Sequence, residues 1–185
     1  MLWNEMKGKS SPAKTMLVKA AILIVSTRRS DNPEQDESGP VIREILQKAG
    51  AEVVDYTVIS DDKERITSYL SDMAASGNVN LVLTSGGTGL SRDDVTPEAT
   101  LAVIERRLSG FEELMRIKGF EKTPYAILSR AVVGTLGPVL IINLPGSPKG
   151  SRDNLELVMP AIPHAVRVLG GHKIHDSEHR FKMTD

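Results

Sequence analysis

The sequence predicts an α/β protein built on a mostly parallel sheet with an antiparallel pair at one edge. Three observations carry this. The run Ala20 to Ser26, AAILIVS, is apolar almost throughout and of strand length, the mark of a strand covered on both faces and therefore central in its sheet. Strand-length runs then alternate with segments whose apolar residues recur at helical spacing, as a parallel sheet with crossover helices requires. Finally, two β-favouring runs between Ala131 and Asn143 flank Gly134-Thr135-Leu136-Gly137, which reads as a hairpin.

Taken in order, residues 1–19 carry Lys7, Lys9, Lys14 and Lys19 against Glu5 alone, a flexible basic arm ahead of the folded domain at residues 20–171. After the first strand, Thr27 to Gly39 is polar and reads as a loop, with Arg28, Arg29, Asp36 and Ser38 at the mouth of that strand. Val41, Ile42, Ile45, Leu46 and Ala49 form the buried stripe of a helix stopped by Gly50. Glu52 to Ile59 is the second strand. Asp61 follows as the cap of a helix, with Glu64 three residues on and Ile66, Tyr69, Leu70 and Met73 facing inward. An acid just past a parallel strand also stands where open α/β sheets bind ligands.

The third strand, Leu81 to Thr84, leads into the loop discussed below. Thr96 and Pro97 then read as N-cap and first residue of a helix carrying Leu101, Ile104 and Leu108. Phe111, Leu114, Met115 and Ile117 follow a break at Ser109-Gly110, and Pro124 to Leu128 is a short helix. The hairpin places strands at Ala131 to Val133 and Pro138 to Asn143. Leu155, Val158, Ile162, Val166 and Leu169 belong to closing helices interrupted at Pro160 and Pro163. Residues 172–185 form a polar tail with His172, His175 and His179, a solvated tail rather than a zinc site because no acid or cysteine pattern accompanies them.

Two strand-to-helix loops carry the chemistry. Ser85-Gly86-Gly87-Thr88-Gly89 places three glycines and two hydroxyls at a strand end, where N–H groups can converge on an anion. Asp93 and Asp94 follow at once, and carboxylates beside an anion loop make sense when a divalent cation lies between acid and phosphate. The second loop, Asn143 to Gly150, runs NLPGSPKG. There Ser147 caps a helix with Pro148 at its first position, and Lys149 adds positive charge. Alone, the glycines of the first loop read equally well as a tight turn and the second loop reads more readily as one; three glycines, two hydroxyls, two adjacent acids and a capped helix within the first loop are more than a turn requires and point to phosphate.

Composition narrows the classes. At 185 residues and net charge −1 the chain suits one soluble domain, and nucleic acid or a membrane surface is not expected as partner. With no cysteine, thiolate metal sites, disulfides and cysteine nucleophiles are excluded. No secretory signal or membrane span is legible, so a cytoplasmic location is expected. No G-x-G-x-x-G follows the first strand and no P-loop is present.

Together, TSGGTG followed by SRDDVTPEAT, LPGSPKG ahead of the last helices and DESG after the first strand resemble the MogA/MoaB family of molybdopterin adenylyltransferases, from about Ala20 to Gly171. The resemblance implies a three-layer α/β/α fold assembled as a homotrimer or as stacked trimers forming a hexamer. It implies molybdenum cofactor biosynthesis, with AMP passing from ATP to molybdopterin in the presence of Mg²⁺ and pyrophosphate leaving. It implies catalytic and metal-binding roles for Asp61 and Asp94, each with an acidic neighbour, Asp62 and Asp93. Substrate binding then falls to Ser85, Gly86, Gly87, Thr88 and Gly89 and to Pro145, Gly146, Ser147 and Lys149. The metal-inserting enzyme of the same pathway is an expected partner. The chain departs from many relatives at Thr27, where they carry an acid. The alternative is a non-catalytic molybdopterin carrier of the same fold; a hydrolase of the competence-damage or nicotinamide-nucleotide amidase group is less expected, since those proteins usually include further domains.

Overall fold

The computed structural model describes residues 17–172. Expectations for the N-terminal arm up to residue 16 and for His175 and His179 lie outside that range. Six strands form one sheet in the order β2-β1-β3-β6-β5-β4. They are β1 (Lys19–Val25), β2 (Glu52–Ile59), β3 (Leu81–Ser85), β4 (Arg106–Arg107), β5 (Val133–Leu136) and β6 (Val139–Leu144). β2, β1, β3 and β6 run parallel, and β5 and β4 complete the sheet antiparallel at the far edge.

Strand alternation sorts the core into two layers. Ala20, Ile22 and Ile24 of β1 join Leu81, Leu83, Leu140 and Ile142 on one face. There they meet α2 (Ser38–Lys48) through Ile42 and Leu46, α5 (Ser109–Phe120) through Met115, α6 (Pro148–Val158) through Leu155, and α7 (Ile162–Leu169) through Ile162 and Val166. Ala21, Leu23 and Val25 join Val82, Val139 and Ile141 on the other face, under Ile66 and Leu70 of α3 (Lys63–Ala75) and Ala99 of α4 (Thr96–Val103). This is the expected three-layer α/β/α arrangement, and β1 sits inside it with all six residues from Ala20 to Val25 buried. Among the described residues no helix is long and apolar enough to cross a membrane.

Several boundaries differ from the sequence reading. The folded part begins before residue 20, since Lys19 opens β1 and Val18 is buried. The stretch after β1 is not all loop. Ser26 accepts a hydrogen bond from the Arg29 N–H and starts a one-turn helix, α1 (Thr27–Ser30), too short to leave a periodic signal. Leu101, Ile104 and Leu108 do not share a helix, because α4 stops at Val103. Glu105 and Leu108 N–H groups donate instead to Thr135 and Val133 carbonyls, which makes Arg106–Arg107 an edge strand. Of the apolar residues after the break, Met115 is buried but Leu114 and Ile117 are exposed. Gly134-Thr135-Leu136 lie within β5, so the hairpin turn is Gly137-Pro138, between the paired Leu136 and Val139.

Candidate active site

Pairing register places the C-terminal ends of four parallel strands together: Val25 lies opposite Ile59, Ile24 opposite Ser85, and Ser85 opposite Leu144. Helices leave β1 and β3 toward opposite faces here, which makes this sheet end a topological switch point. A cleft of about 410 Å³ opens at it, lined by Val25, Ser26, Arg28, Arg29, Asp61, Gly86, Gly87, Asp94, Gly146, Ser147 and Pro148. Asp61 and Asp94, 33 positions apart in the chain, thus share one cavity with parts of both glycine-containing loops.

The two acids are held by different means. Asp61 does not cap α3; Asp62 does, its Oδ1 accepting from the Arg65 N–H at 2.8 Å. With the cap supplied by its neighbour, Asp61 turns toward β1, where its Oδ2 accepts from the Thr27 N–H at 2.7 Å and the Thr27 hydroxyl at 2.9 Å. Its Oδ1 lies toward Gly87: a Cβ built on that glycine would stand 3.2 Å away. Asp94 Oδ2 accepts from the Ser91 N–H at 2.8 Å and lies 2.9 Å from where a Gly89 Cβ would be. Asp93 is exposed and outside the cleft lining, so geometry separates each candidate acid from its neighbour.

The glycines serve different ends. Gly86 has φ +111, its N–H donates to the Leu144 carbonyl, and a Cβ there would fall 2.1 Å from the Val25 oxygen. Only glycine lets β3 turn this close to β1, and with its amide already bonded Gly86 forms floor rather than an anion donor. Gly87, at φ +61, faces the cleft between Asp61 and Thr96. Thr96 is not an N-cap: its hydroxyl donates to the Gly86 carbonyl and its N–H to the Gly87 carbonyl, stitching α4 to the loop. Ser85 is buried, and its hydroxyl, with that of Ser151, donates to the Pro145 carbonyl.

The second loop behaves as the sequence predicts at its helix. Ser147 Oγ accepts from the Gly150 N–H at 3.1 Å, with Pro148 opening the eleven-residue α6, so a capped helix N-terminus faces the cleft. Gly146 packs against Gly86, the Cβ it lacks falling 3.1 Å from the Gly86 Cα. DESG proves to be a brace for this contact. Asp36, buried, accepts from the Ser38 and Gly39 N–H groups and from the Tyr56 hydroxyl, while the Ser38 hydroxyl donates to the Gly146 carbonyl at 2.9 Å. Burial, with the Asp36 carboxylate beside it, pushes the Tyr56 phenol well above its ordinary value, so it stays a donor. Arg29 reaches the same Gly146 carbonyl at 3.4 Å and Asp36 at 3.7 Å.

Thr88, Gly89 and Pro145 line an adjoining cavity of about 440 Å³ that shares Ser147 with the cleft and includes Leu90, Tyr125 and Leu128. Lys149 is exposed and lines neither. Residues that sequence reasoning did not single out include Thr27 as the partner of Asp61, and Arg130. Their roles arise from contacts across the fold, and no local motif signals them.

The donor set admits a hard divalent cation. Among the described residues no cluster of three or more acidic, histidine or cysteine side chains could hold a metal by itself. Two carboxylates lining one cleft, Asp61 and Asp94, are the kind of donors Mg²⁺ uses when substrate phosphates and water complete its shell.

Residues 21–164 match the family described as a probable molybdopterin binding domain. The chain is 39% identical over 163 residues to a molybdopterin adenylyltransferase of Helicobacter pylori, covering 87% of this chain and 93% of that protein. It is 38% identical to molybdenum cofactor biosynthesis protein B of Escherichia coli over 156 residues, 83% and 91% of the two chains. The crystal structure of the molybdopterin biosynthesis enzyme MoaB from Thermus thermophilus superposes with a TM-score of 0.79 at 43% identity, covering 84% of this chain and 98% of that one.

Proposed function

The chain belongs to the molybdopterin-binding domain family of molybdenum cofactor biosynthesis, and we propose that it is a Mg²⁺-dependent adenylyltransferase acting on molybdopterin and ATP. The observation that carries this reading is the convergence of Asp61 and Asp94, Gly87 and the N-terminus of α6 on one cleft at the switch point of the sheet. The H. pylori relative, named for this activity, supports it.

In the reaction the terminal phosphate of molybdopterin attacks the α-phosphorus of ATP. The bond to the bridging oxygen breaks, pyrophosphate leaves, and a phosphoanhydride joins AMP to the pterin. The nucleophile comes with the substrate, so the protein has only to position and neutralise. The Gly87 amide and the Lys149 amide, the one N–H of the first turn of α6 left over by Pro148 and by the Ser147 cap on Gly150, offer donors to phosphate oxygens, and Arg28 on the cleft wall adds a guanidinium. Asp61 and Asp94 would hold Mg²⁺, which when bound offsets negative charge on the ATP phosphates. Thr27 keeps Asp61 turned so that Oδ1 stays on the cleft side.

In this reading the assembly is a homotrimer or hexamer located in the cytoplasm, and it passes its product to a metal-inserting enzyme. Exposed Ile117, Phe120, Tyr125, Ile127 and Leu128, on α5 and the turn after it, support self-association. Pyrophosphate release, measured with molybdopterin, ATP and Mg²⁺ together and with each omitted, tests the function. Release should require all three. Tight molybdopterin binding with no release would make the protein a carrier.

A further inference from the structure

Asp94 sits on a loop that leaves the core at Gly89 and returns at α4, and its position depends on what closes that loop. Arg130, just ahead of β5, grips both ends. Its Nε donates to the Gly89 carbonyl at 2.7 Å, its Nη2 donates to the Asp94 carbonyl at 2.5 Å, and its backbone N–H donates to the Thr88 carbonyl at 3.0 Å. The third nitrogen of the fork, Nη1, pairs with Glu98 Oε1 on the first turn of α4. Among the described residues Glu98 Oε2 is buried without a hydrogen-bond partner, and Arg130 is the counter-charge that this carboxylate meets.

We infer that Arg130 is the positioning residue for Asp94: its planar fork spans the gap between the Gly89 and Asp94 carbonyls and sets where the carboxylate stands in the cleft. Arg130 is not among the residues lining the cleft. Inside the clamp the Ser91 N–H to Asp94 Oδ2 bond fixes the carboxylate relative to the loop, and Arg130 fixes the loop relative to the sheet. Lysine keeps the charge and can satisfy Glu98, but one ammonium on a flexible stem cannot bond two separated carbonyls in a fixed plane. The inference rests on the catalytic assignment of Asp94, and its test contains an arm that does not.

The test compares Arg130→Lys with Glu98→Gln in the full chain. Hydrogen exchange of the amides from Leu90 to Asp94, read without substrates, should speed up about tenfold or more in Arg130→Lys, because opening the loop no longer breaks a bidentate clamp. In the same variant kcat should fall about 10- to 100-fold with KM for ATP changed less than about threefold, as expected for a misplaced catalytic group. Glu98→Gln leaves both carbonyl bonds in place and should alter exchange and kcat by less than about threefold. Unchanged loop exchange in Arg130→Lys overturns the inference, as does an effect of Glu98→Gln equal to that of Arg130→Lys, which would make the cluster a general stabiliser. If Arg130→Lys fails to fold while Glu98→Gln is normal, Arg130→Gln with the Glu98→Gln change removes the orphaned carboxylate, and the exchange criterion applies to that pair. Were the parent protein to transfer no AMP, the exchange result would still decide the clamp while the proposed function alone failed.

Discussion

Replacing Gly87 with alanine tests the cleft at its tightest point. The residue has φ +61, and a left-handed backbone costs a residue with a side chain about 1–2 kcal/mol. Its new Cβ would fall 2.4 Å from the Thr96 hydroxyl oxygen, 3.2 Å from Asp61 Oδ1 and 3.3 Å from Val25 Cγ1. The first distance is untenable, so Thr96 must rotate and give up its bond to the Gly86 carbonyl, worth about 1 kcal/mol. The total, about 2–3 kcal/mol, corresponds to a fall in melting temperature of about 4–12 °C for a domain of this size. Asp61 must also yield by a few tenths of an ångström, and displacement of that kind lowers turnover by about 10- to 100-fold. Gly50→Ala is the control: it too has positive φ, at +76, but its Cβ would meet nothing within 4 Å. It should lose only about 1 kcal/mol and keep full turnover. Thermal melts and pyrophosphate release on both variants decide the matter. A Gly87→Ala protein as stable and as active as the parent would refute the geometry of the cleft.

Thr27→Val removes the hydroxyl that donates to Asp61 Oδ2 and accepts from the Asp61 N–H but keeps the Thr27 N–H bond to Oδ2, so turnover should fall about 3- to 10-fold with the melting temperature lowered by only a few degrees, and Thr27→Ser should restore both; equal activity of the valine variant would show that the Thr27 N–H suffices. Glu112 predicts the acid limit of stability. Its burial on its own pushes the carboxyl pKa up. Outweighing that, the Arg107 fork, the Val133 N–H and the nearby Arg116 hold it below its ordinary value near 4.5. A group depressed in the folded state contributes stability above its unfolded pKa and loses it as pH falls through the folded one. Melts from about pH 7 to 3 should therefore drop below about pH 4.5, and Glu112→Gln should start lower at about pH 7 and flatten that drop. Parallel curves for parent and variant would remove Glu112 from the acid response.

What the sequence made legible follows burial. β1, β3 and β6 announce themselves because both faces are covered, so their residues are apolar without alternation. The two glycine-containing loops at the cleft were legible because glycine and proline are placed there by backbone demands that few residues meet. The shift from Asp61 to Asp62 as helix cap was not. Two adjacent acids are equivalent to a sequence reader, and the choice between them is made by Thr27, a residue 34 positions earlier. The false continuation of α4 has a similar cause. Leu101, Ile104 and Leu108 keep helical spacing, but the β5 carbonyls capture the chain at Glu105, and a two-residue edge strand has no period of its own. Arg130 follows a serine in a stretch without a motif, and its importance comes wholly from the carbonyls it meets across the fold. DESG helps to carry the family resemblance, yet nothing in its residue types shows that Asp36 is used on Tyr56 and two backbone amides.

The most direct measurement follows adenylate from α-labelled ATP to molybdopterin in the presence of Mg²⁺, for the parent protein and for Asp94→Asn. Adenylylated pterin should form with the parent in a one-to-one ratio with pyrophosphate. The variant should fold with the same melting temperature to within a few degrees and form the product about 100-fold more slowly or not at all. Equal rates from the two proteins would take Asp94 out of the reaction, and with it the claim that paired carboxylates at the switch point of the sheet drive the transfer.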